Sequence, residues 1–243
     1  MIAVDEMVKV HRGLLCDVSE KMRRRVEGVD NDEMSAWRRQ MYGHDEAPVY
    51  LCLDVDGDEP ENARGLELWS HFFYGQSMSV PSNDWPKNHN ALDEFLALIK
   101  VHQHSVAYDH SDGEDASIDA IRDLFYRAQD LDWNETVPTV LYQGSIAMQV
   151  LADFVVYGEQ GDAHAKLVDA NIDPNNQRGA LFRLSQEQEP ATQEKLLCSS
   201  SELLQMFIQK GKDKRAGVPA PDLMARCRYH THTAKGQPCY LDK

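Results

Sequence analysis

The chain has 243 residues, with 40 acidic side chains, 25 basic ones and a formal net charge of −15 at pH 7. This balance repels phosphate backbones and anionic lipid, so we expect neither nucleic-acid nor membrane partners. No stretch approaches the roughly 18 apolar residues of a membrane span, and the odd set of five cysteines does not resemble a secreted disulfide scaffold. We therefore expect a globular protein of the cytosol or nucleus.

The first predicted elements are a strand, a turn and a helix. Val8 and Val10 alternate with a polar residue, and apolar residues then recur three to four apart from Leu14 to Val26. Residues 27–47 are polar and predict a mixed loop. The run 49–55 is rich in strand-forming residues, and the acidic, proline-containing stretch after it is typical of the first turn of a helix. That helix is predicted to end at Gly75.

Beyond a loop over 76–90 the pattern becomes helical. The apolar spacing predicts helices over about 95–108, 114–128, 135–142 and 145–157, with Gly158 and Gly161 ending the last of these. Residues 171–193 are polar and contain two prolines, so we expect them to be loosely ordered. Ser199 to Glu202 has the spacing of a capping box and predicts a helix that ends at Gly211 as its C-cap.

The common motifs of nucleotide-binding proteins, serine hydrolases, metalloproteases and redox proteins do not occur in the chain. The acidic run 54–59 begins like a calcium loop, but Glu59 and Gly65 stand where the loop requires glycine and glutamate. A second acidic cluster, 109–115, is interpreted as a solvated turn between helices with capping groups. The weaker alternative is an enzyme that uses His102, His110 and the carboxylates of Asp109 and Asp112.

Three blocks of the N-terminal half follow one another in the chain. The first, 8–22, carries an apolar strand followed by His11, Leu15, Ser19 and Met22. The second, 51–75, has a strand, an acidic proline-containing turn and a helix ending in Phe73-Tyr74-Gly75. With the third block, 101–120, which matches the last helix pair of the family, they resemble the BTB/POZ domain. The helical continuation and the Cys-x-Tyr-His-x-His pattern near the end resemble the long fungal-type members.

This resemblance implies an α+β fold. Residues 1–128 would form a BTB/POZ-like helical cluster with short flanking strands but without the first strand of the family, followed by a helical extension over 129–211 and a basic tail over 212–243. Gly65 stands where the family has a large aromatic side chain, Gly113 where it has leucine and Ser105 where it has alanine, so we expect a core with fewer contacts.

The implied function is a non-enzymatic one, an adaptor or scaffold that binds other proteins. The resemblance leaves open whether the partners include a second copy of the chain, as a homodimer, or a cullin-type ubiquitin ligase. The candidate contact surfaces lie on two helices that carry aromatic side chains, and core packing is the alternative interpretation of the same pattern. These side chains are Trp69, Phe72, Phe73, Phe125 and Tyr126.

The tail from Lys212 onward differs from the rest of the chain, because it has seven basic and three acidic residues. Within it, Cys227, His230, His232 and Cys239 have the composition of a closed, structural zinc site. Both histidines would face one side if the backbone there were extended. One alternative is an exposed, poorly ordered tail. The site also gives an alternative function, in which a zinc-binding protein uses its Cys/His tail to contact an acidic partner.

Overall fold

The structure, a computed structural model, describes residues 10, 12–30, 60–76, 78, 91–127, 136–137, 140–141, 145–158, 161–172, 190–225 and 227–242. Residues 136, 137, 140 and 141 are helical. The other helices of these ranges are α1 (Arg12–Val18), α2 (Glu20–Asp30), α3 (Pro60–Phe73), α4 (Ala91–Ala107), α5 (Ser111–Arg127), α6 (Ser145–Tyr157), α7 (Gly161–Ile172), α8 (Pro190–Arg215), α9 (His232–Lys235) and a final 3-10 turn (Tyr240–Asp242). Within the described ranges, no helix combines the length and the apolar character that crossing a membrane requires.

The expected α+β class is wrong for the part of the chain that the structure describes, which is helical and contains no strand. One predicted strand, 49–55, lies outside the described residues, and so do residues 8–9 of the other. Val10, the last residue of that other strand, is described and is not part of a strand. Met22 and Val26, which belong to the first predicted helix, are buried in a cluster of helices. In the described residues, the apolar side chains of this cluster are covered by other helices rather than by a sheet.

One cluster of buried side chains runs through the described helices. α4 packs against α3 and α5, α5 packs against α6, and α6 packs against α7 and α8. The ring of Phe125 in α5 lies 5.5 Å from that of Phe95 in α4 and 5.5 Å from that of Phe154 in α6. Tyr229 near the C-terminus belongs to the same cluster. Side chains from all three predicted segments therefore share a core, while the boundaries between the segments stay predictions.

Gly65 and Gly113 were expected to leave a core with fewer contacts, but they allow neighbouring helices to pack closely. A Cβ atom at Gly113 in α5 would lie 2.4 Å from Ser105 Oγ and 2.5 Å from His110 Nδ1. A Cβ atom at Gly65 in α3 would lie 2.7 Å from the Cβ atom of Lys100 in α4. Larger side chains would push these helices apart, so the glycines allow contacts between backbones and neighbouring side chains.

The helix predicted from Leu14 to Val26 is divided into α1 and α2 at Ser19. The Ser19 hydroxyl accepts a hydrogen bond from the backbone N–H of Met22 at 3.1 Å and donates one to the carbonyl of Tyr108. Ser19 thus acts as the N-cap of α2 and fixes it to the end of α4.

α8 is longer than predicted at both ends and spans 26 residues. Pro190 begins it, at a position where the missing N–H of proline is not needed. The Ser201 hydroxyl donates to the carbonyl of Leu197 at 2.8 Å, so the serines that predicted a cap lie inside the helix. The helix continues past Gly211, and Gly217 follows its end with a φ of 76°. Gly161 was also misassigned, since it begins α7 rather than ending a helix.

Candidate metal centre

The C-terminal segment, described over residues 216–225 and 227–242, packs against the helical body from Arg228 onward. The Arg228 guanidinium donates to the buried carboxylate of Asp153 in α6 at 2.9 Å, and the Tyr229 hydroxyl donates to the same carboxylate at 2.8 Å. Further along, α9 and the 3-10 turn contact α5. The interpretation of this segment as an exposed tail therefore does not hold for Tyr229 and for the three buried candidate ligands, His230, His232 and Cys239.

The four cysteine and histidine residues of the segment come together in the structure. One candidate ligand atom from each of Cys227, His230, His232 and Cys239 lies within 4.8 Å of the others. Three of these residues are buried, and Cys227 is half-buried. Zinc bonds of about 2.0–2.3 Å place tetrahedral ligand atoms about 3.3–3.8 Å apart, so a small contraction of the cluster gives the geometry of a zinc site. The cluster can hold a metal ion.

Two tight turns in the backbone close the cluster. Cys227 has a φ of 65°, which is uncommon for a residue other than glycine, and the N–H of His230 donates to the Cys227 carbonyl at 3.3 Å. His232 begins the short helix α9, which ends at Gly236 with a φ of 65°. The extended backbone expected for the histidines is therefore wrong. The His230 and His232 rings nevertheless lie 5.0 Å apart, because the turns bring them to the same side.

Each histidine of the cluster also contacts a carboxylate of α5. His232 Nδ1 lies 2.6 Å from Asp115 Oδ2, and His230 Nε2 lies 2.9 Å from Asp119 Oδ2. The contact of His230 Nε2 with Asp119 is close, but its angles depart from those of a hydrogen bond. These contacts leave Nε2 of His232 and Nδ1 of His230 for a metal, and the latter lies 3.9 Å from Cys239 Sγ. Metal-binding histidines commonly direct their second ring nitrogen to a carboxylate in this way.

The surroundings of the cluster shift the pKa of one imidazole and one thiol. Burial lowers the pKa of His230, but the contact with the Asp119 carboxylate and its charge outweigh burial and leave that pKa above its ordinary value. Burial raises the pKa of the Cys239 thiol, but hydrogen bonds from the Leu241 backbone, Cys227 and His230 outweigh it and leave that pKa below its ordinary value. The Asp119 carboxylate thus makes the His230 imidazole more basic, and the neighbours of Cys239 favour its thiolate form.

The sequence did not indicate that the carboxylates of α5 belong to the site. Asp109 lies in the turn between α4 and α5, as predicted, but Glu114 and Asp115 are only 6% and 1% exposed within α5. The expectation of a fully solvated acidic turn is therefore wrong for these two residues. Asp115 and Asp119 are four residues apart and share a helix face, and this spacing is the one signal that could have suggested a common role.

The predicted interaction residues differ widely in exposure. Trp69 and Phe125 are 2% and 1% exposed and belong to the core, as the alternative interpretation of the pattern predicted. Phe72 and Phe73 are partly buried against that core. Tyr126 is 46% exposed, so its ring is the most accessible of the five.

His102 and His110, the two histidines of the alternative interpretation as an enzyme, each contact a side chain of a second helix. His110 Nδ1 accepts a hydrogen bond from Trp69 Nε1 at 3.2 Å, which links the start of α5 to α3. His102 Nδ1 lies 3.2 Å from the hydroxyl of Ser117, which links α4 to α5. Both rings therefore have packing roles that need no substrate.

A cavity of about 650 Å³ adjoins the cluster. Its lining includes the rings of Phe72 and Phe73, together with Tyr240 and Asp119. The Tyr240 hydroxyl donates to Asp119 at 2.8 Å, and the same carboxylate contacts His230. The cavity wall and the candidate metal centre thus share a carboxylate.

Comparisons of the chain with protein-family models, with curated proteins and with solved structures gave no match. The resemblance to the BTB/POZ family therefore stays a prediction. The α+β fold that it implied is not the fold of the described residues.

Proposed function

We propose that this protein is a non-catalytic zinc protein in which a Cys2His2 site fastens the C-terminal segment to α5. The observation that supports the proposal is the convergence of Cys227, His230, His232 and Cys239 within 4.8 Å. The carboxylate behind each imidazole adds to it, because such contacts fix the ring orientation and raise the basicity of the ligand.

Zinc is the metal that the donor atoms favour. Two thiolates and two imidazoles in a small, mostly buried cluster suit a tetrahedral ion of intermediate softness, whereas calcium and magnesium prefer oxygen ligands. Mixed sulfur and nitrogen coordination in tetrahedral geometry is typical of zinc. Four protein ligands leave no open position for a water molecule or substrate, so the proposed role is structural.

The basic side chains of the C-terminal region favour docking within the molecule over contact with an acidic partner. Arg228 pairs with Asp153, Lys235 Nζ lies 3.0 Å from the Glu114 carboxylate, and Lys214 donates to a carbonyl of α6 at 2.7 Å. These cations are already held by the chain itself, so fewer of them are available to another molecule. We therefore propose that the cluster stabilises the fold of the chain itself.

Protein binding is a second candidate function. It is favoured by apolar side chains outside the C-terminal segment that remain accessible, namely Tyr126 at 46% and a set on α8 that is 39–48% exposed. Because these surfaces do not include the metal ligands, the two functions can be tested independently.

The test of the zinc proposal is metal analysis of protein purified from zinc-supplemented cells. We expect about one zinc per chain in the wild type and almost none after Cys227→Ser with Cys239→Ser. The matched control is Cys198→Ser, because Cys198 is exposed on α8 and lies outside the cluster. A wild-type protein without zinc, or equal zinc content in the double variant, would overturn the proposal.

A further inference from the structure

α8 carries a line of accessible apolar side chains that do not contribute to the core. Leu197, Leu204 and Ile208 are 48%, 39% and 47% exposed, whereas Leu196 and Leu203 on the adjoining face are 2% and 0% exposed. Spacings of seven and four residues place the three exposed side chains on one face. Single exposed leucines are ordinary, but an aligned set over about 16 Å of helix is a candidate contact surface. We call these three residues the α8 stripe.

Charged residues border the α8 stripe at its two ends. Glu194 precedes it and Lys212 follows it, and both side chains are exposed. They are 18 residues apart, which is five helical turns, so they lie on the same edge of the helix. One edge of α8 is thus negative near one end of the stripe and positive near the other.

We infer that α8 pairs with α8 of a second copy of the chain in an antiparallel arrangement about a two-fold axis between Ser201 and Leu204. This inference deepens the second candidate function and names the partner. A two-fold axis there brings Leu197 opposite Ile208 of the second copy, and Ile208 opposite Leu197. The same axis sets Glu194 beside Lys212 of the second copy, twice.

The charges decide the direction of the pairing. A parallel two-fold pair would turn this edge of the two helices to opposite sides of the contact, so neither Glu194 would lie beside Lys212 of the other copy. The antiparallel arrangement keeps this edge on the same side in both copies and sets each Glu194 beside Lys212 of the other copy. The charge pattern therefore fits a second copy of the same helix in reverse direction.

The size of the stripe predicts a weak dimer. Stable interfaces bury about 800 Å² on each partner, and three partly exposed apolar side chains provide less than that. We expect a monomer–dimer equilibrium in the micromolar range of dissociation constants, about 10 to 100 µM.

The experiment is sedimentation equilibrium of the full chain from about 1 to about 300 µM. Leu204→Glu should raise the dissociation constant at least about tenfold, because it buries a charge against apolar side chains. Glu194→Lys and Lys212→Glu should each weaken the dimer, and the two together should restore it, which only the antiparallel pairing predicts. These two residues are exposed, so their variants should fold as the wild type does.

Three results would overturn the inference. They are a monomer over the whole concentration range, a dimer that Leu204→Glu leaves unchanged, and a failure of the charge-swapped double variant to regain association. Repetition in the variant that lacks Cys227 and Cys239 separates this result from that of the zinc proposal, since α8 pairing does not use the metal ligands.

Discussion

At the scale of single residues, Asp115 and Asp119 connect the helical body to the candidate metal centre. The Asp115 carboxylate contacts His232 and also accepts from the backbone N–H and the hydroxyl of Thr231, at 2.6 and 3.0 Å. Asp119 contacts His230 and accepts from Tyr240. Each carboxylate therefore orients an imidazole and holds a neighbouring part of the C-terminal segment.

Replacing Asp115 with asparagine should weaken zinc binding by about 10- to 100-fold, because the imidazole of His232 loses its charged partner. The measurement is competition with a chromophoric chelator of known zinc affinity. Asp123→Asn is the matched control, since Asp123 lies on the same helix, pairs with Arg122 and has a side chain that is 41% exposed. Equal zinc affinity for the two variants would show that the Asp115 contact does not act on the metal.

At the scale of elements, Asp153 joins α6, α8 and the C-terminal segment. Its carboxylate is 2% exposed and accepts from Lys210 of α8, Arg228 and Tyr229. Burial alone would raise the pKa of Asp153, but the hydrogen bonds from Lys210, Arg228 and Tyr229 outweigh burial and lower that pKa. The ionised carboxylate is thus the form that the fold favours.

This direction predicts how stability depends on pH. A carboxyl group whose pKa is lower in the folded than in the unfolded state stabilises the fold fully above its unfolded pKa of about 4, and that contribution is lost as the pH falls through the folded pKa. Asp153→Asn should therefore cost about 1–3 kcal/mol at pH 7. The difference in free energy of unfolding between wild type and variant should shrink below about pH 4.

Urea denaturation at a series of pH values from 7 to 3 measures this difference. Glu20→Gln is the control, because Glu20 pairs with Arg23 and Arg24 at an exposed site of α2 and should change stability by less than about 1 kcal/mol. A cost for Asp153→Asn that stays constant down to pH 3 would contradict the proposed role of its ionised form.

The sequence was informative wherever structure depends on local spacing. The apolar periods around Phe95, Ile118 and Val150 lie within α4, α5 and α6, because helices buried on one face must repeat every three to four residues. Serine patterns were ambiguous, since a hydroxyl can cap a new helix, as at Ser19, or bond back within one, as at Ser201.

The candidate metal centre was partly predictable for the same reason. Its four ligands lie between Cys227 and Cys239, so their chemistry is visible in one short stretch of sequence. The carboxylates that contact the histidines lie more than 100 residues earlier, and no local pattern relates Asp115 to His232.

At the scale of the whole molecule, acidic residues of the helical body pair with basic residues of the C-terminal segment. The ion pairs Glu114–Lys235 and Asp153–Arg228 join α5 and α6, respectively, to this segment. The segment is therefore held at two places, by Asp153 near Arg228 and by the candidate metal centre farther along. These two attachments should respond differently when the metal is removed.

Removal of zinc by a strong chelator should release residues 230–239 while the attachment at Asp153 persists. Hydrogen exchange measured by mass spectrometry should accelerate at least about tenfold over this stretch, because the backbone N–H groups of Thr231 and Gln237 would lose their partners Asp115 and His232. Exchange in α4 and α6 should change little. Added zinc should restore the protection, whereas magnesium should not, since it prefers oxygen ligands.

Two outcomes would count against this expectation, and each has a distinct meaning. Unchanged exchange over 230–239 would mean that the contacts with α5 hold the segment without metal, and the cluster would not be the fastening that we propose. Faster exchange throughout α4 and α5 would mean that the metal supports the whole core, in which Tyr229 takes part. Only a local response, reversed by zinc, fits a site that joins one segment to an already folded helical body.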